Sequence, residues 1–394
     1  MTAAAMLALS SCGKDSTETD NTDRNVMILY SAGYNSLSSY LQKNVSELKE
    51  GWLPTAKNGQ DVILIVSKPV NGSYASQTSP VLIRMYGKGT EVVMDTVKVY
   101  AQGRSLVEKE SFRSIMQDIK SLYPAKGYGM VFSSHATGWL PAGYYANPSL
   151  YESGEQARRK TLGQEVYVEN SVTKSQEMEI EDMAAALPYK LDYLLVDACL
   201  AGCVEVAYAF RDKVEAIGFS QAEVLTYGFD YTKMAQQLLR DKAPKMVCSD
   251  FIARYNAMSG EYKSATISMV RPADMSQLVS VCKELIEKYR TRINALDYTS
   301  VQEYGGTKHW FFDLEDIFLK AGITADEKSR LESAIDACMV YKETTGQYYS
   351  ATDAKVHAID IFSGFTMYLP SVQGDYLHSF YKSLSWNKAV NLVE

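Results

Sequence analysis

The sequence predicts an α/β protein, with a mostly parallel sheet covered by helices on both faces and a mainly helical C-terminal part. Three observations carry this expectation. Short, wholly apolar runs recur at 26–31, 61–67, from 128 and at 193–196, with the length and composition of strands buried on both sides. Most of them are separated by segments whose apolar residues fall at helical spacing, the rhythm of a parallel sheet. Beyond about residue 244 the helical period dominates.

In chain order, the first strand is 26–31 (VMILYS), followed by a turn at Ala32-Gly33-Tyr34-Asn35. An amphipathic helix over 36–52 puts Leu37, Tyr40, Leu41, Val45 and Leu48 on one face. A second buried strand (61–67, DVILIVS) leads through a polar loop to a hairpin, 81–86 with 91–100, around Gly87-Lys88-Gly89. A helix over 111–123, capped by Ser111, precedes the apolar strand that starts at Tyr128. From 142 to 176 the periodicity disappears, and this reads as a long structureless polar insertion. A short helix (178–187) then leads into LDYLLVDACLAGCVEVAYAFRD (191–212), a buried strand running into a helix from about Ala201. Another strand (215–220) and a polar, aromatic loop (221–231) follow. Helical patterns cover 231–240, 244–258, 274–293, 314–321, 325–341 and 376–384, with strand candidates at 266–270 and 365–369. The expected division is a tail over 1–24, an α/β domain over 25–243 and a helical subdomain over 244–394 that returns one strand.

The totals narrow the function. A chain of 394 residues with 46% hydrophobic and 22% charged residues has room for a large core. A net charge of −7 without a basic run argues against nucleic acid as a partner and suits basic substrates. Of the six cysteines (12, 199, 203, 248, 282 and 338), the five in the folded part form no CxxC pair and have no His partners at zinc spacing, and a domain this large needs no disulfide framework. Cys203, Cys248, Cys282 and Cys338 read as small buried residues on helices.

The first residues end in Leu9-Ser10-Ser11-Cys12, which looks like a bacterial lipobox, with Cys12 as the lipidated residue and an acidic, flexible tether behind it. The apolar stretch is too short to span a membrane and lacks a positive n-region, so an earlier natural start is expected. The expected location is the bacterial cell envelope, at the outer membrane or cell surface, held by a lipid anchor only.

Two strand ends carry the chemistry. Asp197-Ala198-Cys199 lies where a strand gives way to a helix, the place where open α/β sheets put ligands and where a helix N-terminus favours a thiolate. Ser133-Ser134-His135-Ala136-Thr137-Gly138 brings a histidine to the end of another strand, among small residues that let a substrate approach. Together they suggest a thiol nucleophile with its base. Asp197 adds a negative charge suited to a basic side chain. His309, His357 and His378 stand in weaker settings and read as structural, and a metal site of Cys199, Cys203 and His135 lacks a full ligand set.

SSHATGW and LLVDACLAGCVEVAYAFRD resemble the histidine and cysteine motifs of the clostripain-like cysteine peptidases, relatives of caspases, gingipains and legumains. VMILYSAGYNSLSSYL, EAIGFSQAEVLTYGFDY and FTMYLP resemble further parts of that family, so the likeness runs from about residue 25 onward. The histidine precedes the cysteine, at 135 against 199, the caspase-type order with a histidine about 50 residues upstream. The resemblance implies a caspase-like α/β/α sandwich and an endopeptidase cleaving after Arg or Lys. His135 is then the base, Cys199 the nucleophile, and the backbone N–H groups of Ala136 and Cys199 the oxyanion hole. Asp197 becomes the floor of the pocket for the basic side chain, with Glu223 and Asp230 as candidates for a second acidic residue, although Asp230 also fits a helix cap before Tyr231. Self-cleavage between the two motifs is also implied, with Arg158, Arg159 and Lys160 as candidate sites. No cofactor is expected; calcium serves some members, and the sequence has no DxDxDG-type loop. A monomer acting on basic protein or peptide substrates is expected. Ala136 stands where the family usually has glycine. Were φ > 0 needed there, alanine would strain it, and the expectation becomes an inactive, anchored relative that binds basic peptides.

Overall fold

In a computed structural model of the chain, residues 23–57, 60–74, 77–153, 162–169, 171–372 and 374–394 are described. The candidate lipidation residue Cys12 and the candidate cleavage residues Arg158, Arg159 and Lys160 lie outside them.

The chain opens with β1 (Asn25–Ser31), α1 (Ser38–Glu50), β2 (Val62–Ser67), β3 (Val81–Lys88), β4 (Glu91–Val99), α2 (Lys109–Leu122) and β5 (Gly127–Ser133). It continues with α3 (Pro148–Glu152), β6 (Leu162–Glu169), β7 (Val172–Met178), α4 (Ile180–Ala186), β8 (Leu191–Asp197), α5 (Val204–Ala209) and β9 (Val214–Phe219). Then come α6 (Tyr231–Ala235), α7 (Pro244–Asn256), β10 (Thr266–Val270), α8 (Ser276–Ile293), β11 (Phe312–Asp313), α9 (Leu314–Ala321) and α10 (Ala325–Cys338). The last elements are β12 (Met339–Thr344), β13 (Gln347–Ser350), β14 (Lys355–Ala358), β15 (Thr366–Met367), α11 (Asp375–Tyr381) and α12 (Ser385–Val390).

Nine of these strands form one sheet in the order β12-β10-β9-β8-β5-β1-β2-β3-β4. Its middle, β9-β8-β5-β1-β2, is parallel. Antiparallel pairs close both edges, β3 and β4 on one side, β10 and β12 on the other. Successive side chains of a strand point to opposite faces, and each face of this sheet has its own core. Val26, Ile28 and Tyr30 of β1 join the core under α2, α4, α5 and α8, while Met27 and Leu29 join the core under α1, α6 and α7. Covered on both sides, the central strands must be apolar at nearly every position, which is why they read as unbroken runs. The result is the α/β/α sandwich that the sequence pattern called for. No described helix is long and apolar enough to cross a membrane.

Several local expectations are corrected. α2 is capped by the Glu108 carboxylate, which accepts from the N–H groups of Glu110 and Ser111, so Ser111 is inside the helix and not its cap. α1 starts at Ser38 and buries Leu41, Asn44 and Leu48, a stripe at i, i+3 and i+7 that leaves Tyr40, about 100° round the helix, 43% exposed. The insertion over 142–176 is not structureless: it carries α3 and most of the β6–β7 hairpin. α10 stops at Cys338, and the following residues leave as β12 to pair with β10. The strand at 365–369 shortens to β15 and pairs with β11, outside the main sheet.

Candidate active site

The site follows from strand register. Ser31 at the end of β1 pairs with Ser133 at the end of β5, and Ser133 pairs with Asp197 at the end of β8. Three carboxyl ends therefore stand level. β1 leads one way along the sheet to β2 and β5 leads the other way to β8, which makes the crevice outside their ends the topological switch point. A cavity of about 820 Å³ opens there, and both His135 and Cys199 line it.

The histidine is held from two sides. Gly163 N–H of β6 donates to the His135 carbonyl (3.1 Å), and Ser134 Oγ, which donates to Ala32 O (2.6 Å), accepts from Gln164 N–H (3.1 Å). On the ring, Nε2 lies 2.9 Å from Ser36 Oγ. Burial lowers the imidazole pKa below its ordinary value, so the ring is held neutral, with one nitrogen free to accept a proton.

The cysteine is in a different state. Val224 N–H donates to Cys199 Sγ (3.3 Å), and Sγ sits 3.8 Å from Val224 O. Burial pushes the thiol up to about 12. The helix N-terminus expected to favour a thiolate is absent from this position: α5 begins only at Val204, with Cys203 as its first flanking residue. A loop intervenes because Leu200 adopts φ 57° and its N–H donates to Ala222 O (3.1 Å), while Gly202 N–H donates to Ser220 O (2.7 Å). A left-handed leucine is uncommon and costs about 1–3 kcal/mol. Nothing in the sequence marks it.

Ala136 is outside the positive-φ region, so the strain anticipated for alanine does not arise. The left-handed glycine is Gly138 (φ 58°), where a Cβ would stand 2.5 Å from Leu200 O. Among the described residues the amide N–H groups of Ala136 and Cys199 meet no backbone acceptor.

Three carboxylates line the cavity, Asp197, Glu223 and Glu177, and no Lys or Arg does among the described residues. Asp197 is buried and accepts from Tyr231 OH (2.7 Å). Its burial raises the carboxyl to about 6, a rise held back by the Tyr231 hydrogen bond. Glu223 accepts from Ser350 Oγ (2.8 Å) and Ala351 N–H (3.1 Å), which pins the turn after β13 as a wall of the cavity. Glu177, near the end of β7, accepts from Gly143 N–H (3.1 Å) and Gln164 Nε2 (3.2 Å). It escaped sequence reasoning because its strand lies largely in the stretch read as loop. Asp230, expected beside the basic side chain, lies outside the walls: it caps α6 by accepting from Thr232 N–H (3.1 Å) and faces Lys233 at 3.5 Å. Exposed Tyr40, Tyr227 and Tyr262 edge the cavity and were also missed, since they lie on three separate segments.

The remaining histidines stand elsewhere, His309 on Glu303 (2.8 Å), His357 on Asp353 (3.1 Å) and His378 on Pro370 O (3.1 Å). Cys203, Cys248, Cys282 and Cys338 are buried, although Cys203 precedes its helix and the other three lie on theirs. Among the described residues no group of three or more His, Cys, Asp or Glu side chains is placed to hold a metal ion.

The family model for the clostripain family, Peptidase_C11, matches residues 29–392. An inactive zymogen C11 protease from Parabacteroides distasonis superposes with a TM-score of 0.76 at 25% identity, over 94% of this chain and 98% of the other. A secreted C11 cysteine protease from Bacteroides thetaiotaomicron, solved with an irreversible peptide inhibitor, gives 0.77 at 21% identity, over 94% and 99%. No curated protein matches the chain.

Proposed function

The chain belongs to the clostripain family of cysteine peptidases, and from that premise we propose that it is an endopeptidase cleaving after Arg or Lys, with Cys199 as nucleophile and His135 as base. One observation carries this reading: the cavity that holds a thiol and a neutral imidazole is lined by three carboxylates and, among the described residues, by no Lys or Arg. A cationic side chain entering it meets charge-assisted acceptors, Asp197 foremost.

The chemistry uses no cofactor. His135 takes the thiol proton as Cys199 Sγ bonds to the scissile carbonyl carbon, and the tetrahedral oxyanion is met by the N–H groups of Ala136 and Cys199. The C–N bond then breaks, and the imidazolium returns its proton to the leaving amine. Water, deprotonated by His135, hydrolyses the thioester and releases the acid. Because burial disfavours both the thiolate and the imidazolium, proton transfer and attack must be coupled.

The neutral thiol tied to Val224 suits the uncut chain. We read the intact chain as a precursor that cuts itself between His135 and Cys199, at Arg158, Arg159 or Lys160, as the Parabacteroides relative is described as an inactive zymogen. The proposed setting is a monomer held to the cell envelope through lipidated Cys12, with 25–243 as the peptidase domain and 244–394 as its companion. A second reading, an inactive relative that holds basic peptides, is favoured by the same raised thiol.

The test is intact mass and turnover of Arg-, Lys- and Ala-terminated fluorogenic peptides by wild type and Cys199→Ala. Cutting of wild type alone after a basic residue, with Arg or Lys peptides preferred, is the expected result. Absence of turnover in a cut wild-type chain would leave the binding protein as the better reading.

A further inference from the structure

We propose that Ser36 is the positioning residue of His135 and that Nδ1 is the nitrogen that takes the thiol proton. The inference rests on the reading of His135 as base. An imidazole acting as base needs one nitrogen with a free lone pair and a partner that fixes the hydrogen on the other. Ser36 Oγ stands 2.9 Å from Nε2, and it is the one side chain bonded to the ring among the described residues. With Nε2–H donating to this oxygen, Nδ1 is unprotonated and available to Cys199.

The serine is itself held. Asn35, fully buried, donates through Nδ2 to Ala32 O (3.1 Å) and Gln164 O (2.6 Å), and its Oδ1 accepts from Leu37 N–H (2.8 Å). Ala32 N–H donates in turn to Ser133 O (3.0 Å), so the turn after β1 is locked to the turn that carries His135. Asn35 thus ties the turn that carries Ser36 to β6, as Ala32 ties it to the end of β5. A hydroxyl fixes the ring and its tautomer, and stabilises the imidazolium less than a carboxylate would, which fits an imidazole whose pKa stays low. Asp197, Glu223 and Glu177 are the carboxylates that line the cavity with the ring, alongside the Cys199 thiol, and none of them bonds it.

Ser36 is exposed, so its replacement leaves the core intact. Ser36→Ala and Ser36→Asp are compared with wild type and His135→Ala on an Arg-terminated fluorogenic peptide, as kcat and KM against pH. The alanine variant loses about tenfold in kcat with KM unchanged, and the acid limb of its profile moves to lower pH, because the imidazolium loses its acceptor. The aspartate variant moves that limb up by about one pH unit, since a carboxylate stabilises the imidazolium. A structural role alone would not move the two limbs in opposite directions. Alanine activity within twofold of wild type with an unmoved limb overturns the proposal while His135 stands. Full activity of His135→Ala overturns the reading of the base and the proposal with it.

Discussion

The turns after β5 and β8 bring an imidazole and a thiol to one cavity, and they are built in opposite ways. The first is tied by hydrogen bonds to the β1 turn and to β6, and it presents a neutral imidazole with a hydroxyl on Nε2. The second is bent by a left-handed leucine, and its thiol is tied to a single backbone residue, Val224, with ionisation pushed up to about 12. Under the roles proposed above, burial keeps the imidazole in the form a base needs and disfavours the thiolate a nucleophile needs, which puts the difference between the two turns on the cysteine side.

The largest expected effects test whether both turns take part at all. Cys199→Ala removes about 10⁴-fold or more of kcat, and His135→Ala about 10²–10⁴-fold, both read as initial rates on an Arg peptide. A His135 effect that vanished would break the comparison, leaving only the cysteine turn in the chemistry.

Next is Asp197→Asn, which acts on the cysteine side in two directions. Loss of the charge should cut kcat/KM for Arg peptides by about 10²-fold and leave Ala peptides unaffected. Stability moves the other way. The folded carboxyl sits near 6 against an ordinary 3.8, so its contribution is complete below about pH 4 and lost as pH rises through 6. The asparagine variant, always neutral, should flatten that decline in Tm against pH.

Glu205 sharpens the picture one turn further on. It is a buried residue of α5, accepts from Tyr381 OH (2.6 Å) and Tyr368 N–H (3.1 Å), and has no partner for Oε2 among the described residues. Burial raises it to about 7 from 4.5, so the stability it contributes is lost between about pH 4.5 and 7. Glu205→Gln keeps one acceptor oxygen for both bonds and should raise Tm at pH 8 by a few °C, with little change at pH 4. An unchanged Tm at pH 8 would show that the cysteine side tolerates its buried charge. The smallest effect is Asp230→Ala, expected to cost about 1 kcal/mol of stability through the lost α6 cap and to leave KM for Arg unchanged. A raised KM would return Asp230 to the substrate pocket.

The parts read correctly in advance were those with a local signature. The central strands announce themselves as apolar runs because both faces are covered, and His135 and Cys199 stand just past the ends of such runs, which register sets level at one cavity. The rest depended on which partner each side chain met in the fold. Asp230 and Glu223 are both acidic residues of one loop, yet one bonds its own helix and the other the turn after β13, more than a hundred positions away. Glu177 sits on a strand that lies largely within the stretch read as loop, and Ser36 meets His135 only across 99 positions of chain.

By itself, the sequence determined the α/β architecture, the two strand ends that meet at the cavity and the family motifs, because burial of apolar runs and strand-to-turn switches are properties of short windows. Tertiary structure alone decided the electrostatics. Where α5 starts, which backbone group meets the thiol, and how many carboxylates face one cavity depend on loops packed against each other across the sheet. Desolvation, which lowers the imidazole and raises the thiol, has no meaning until those loops are in place.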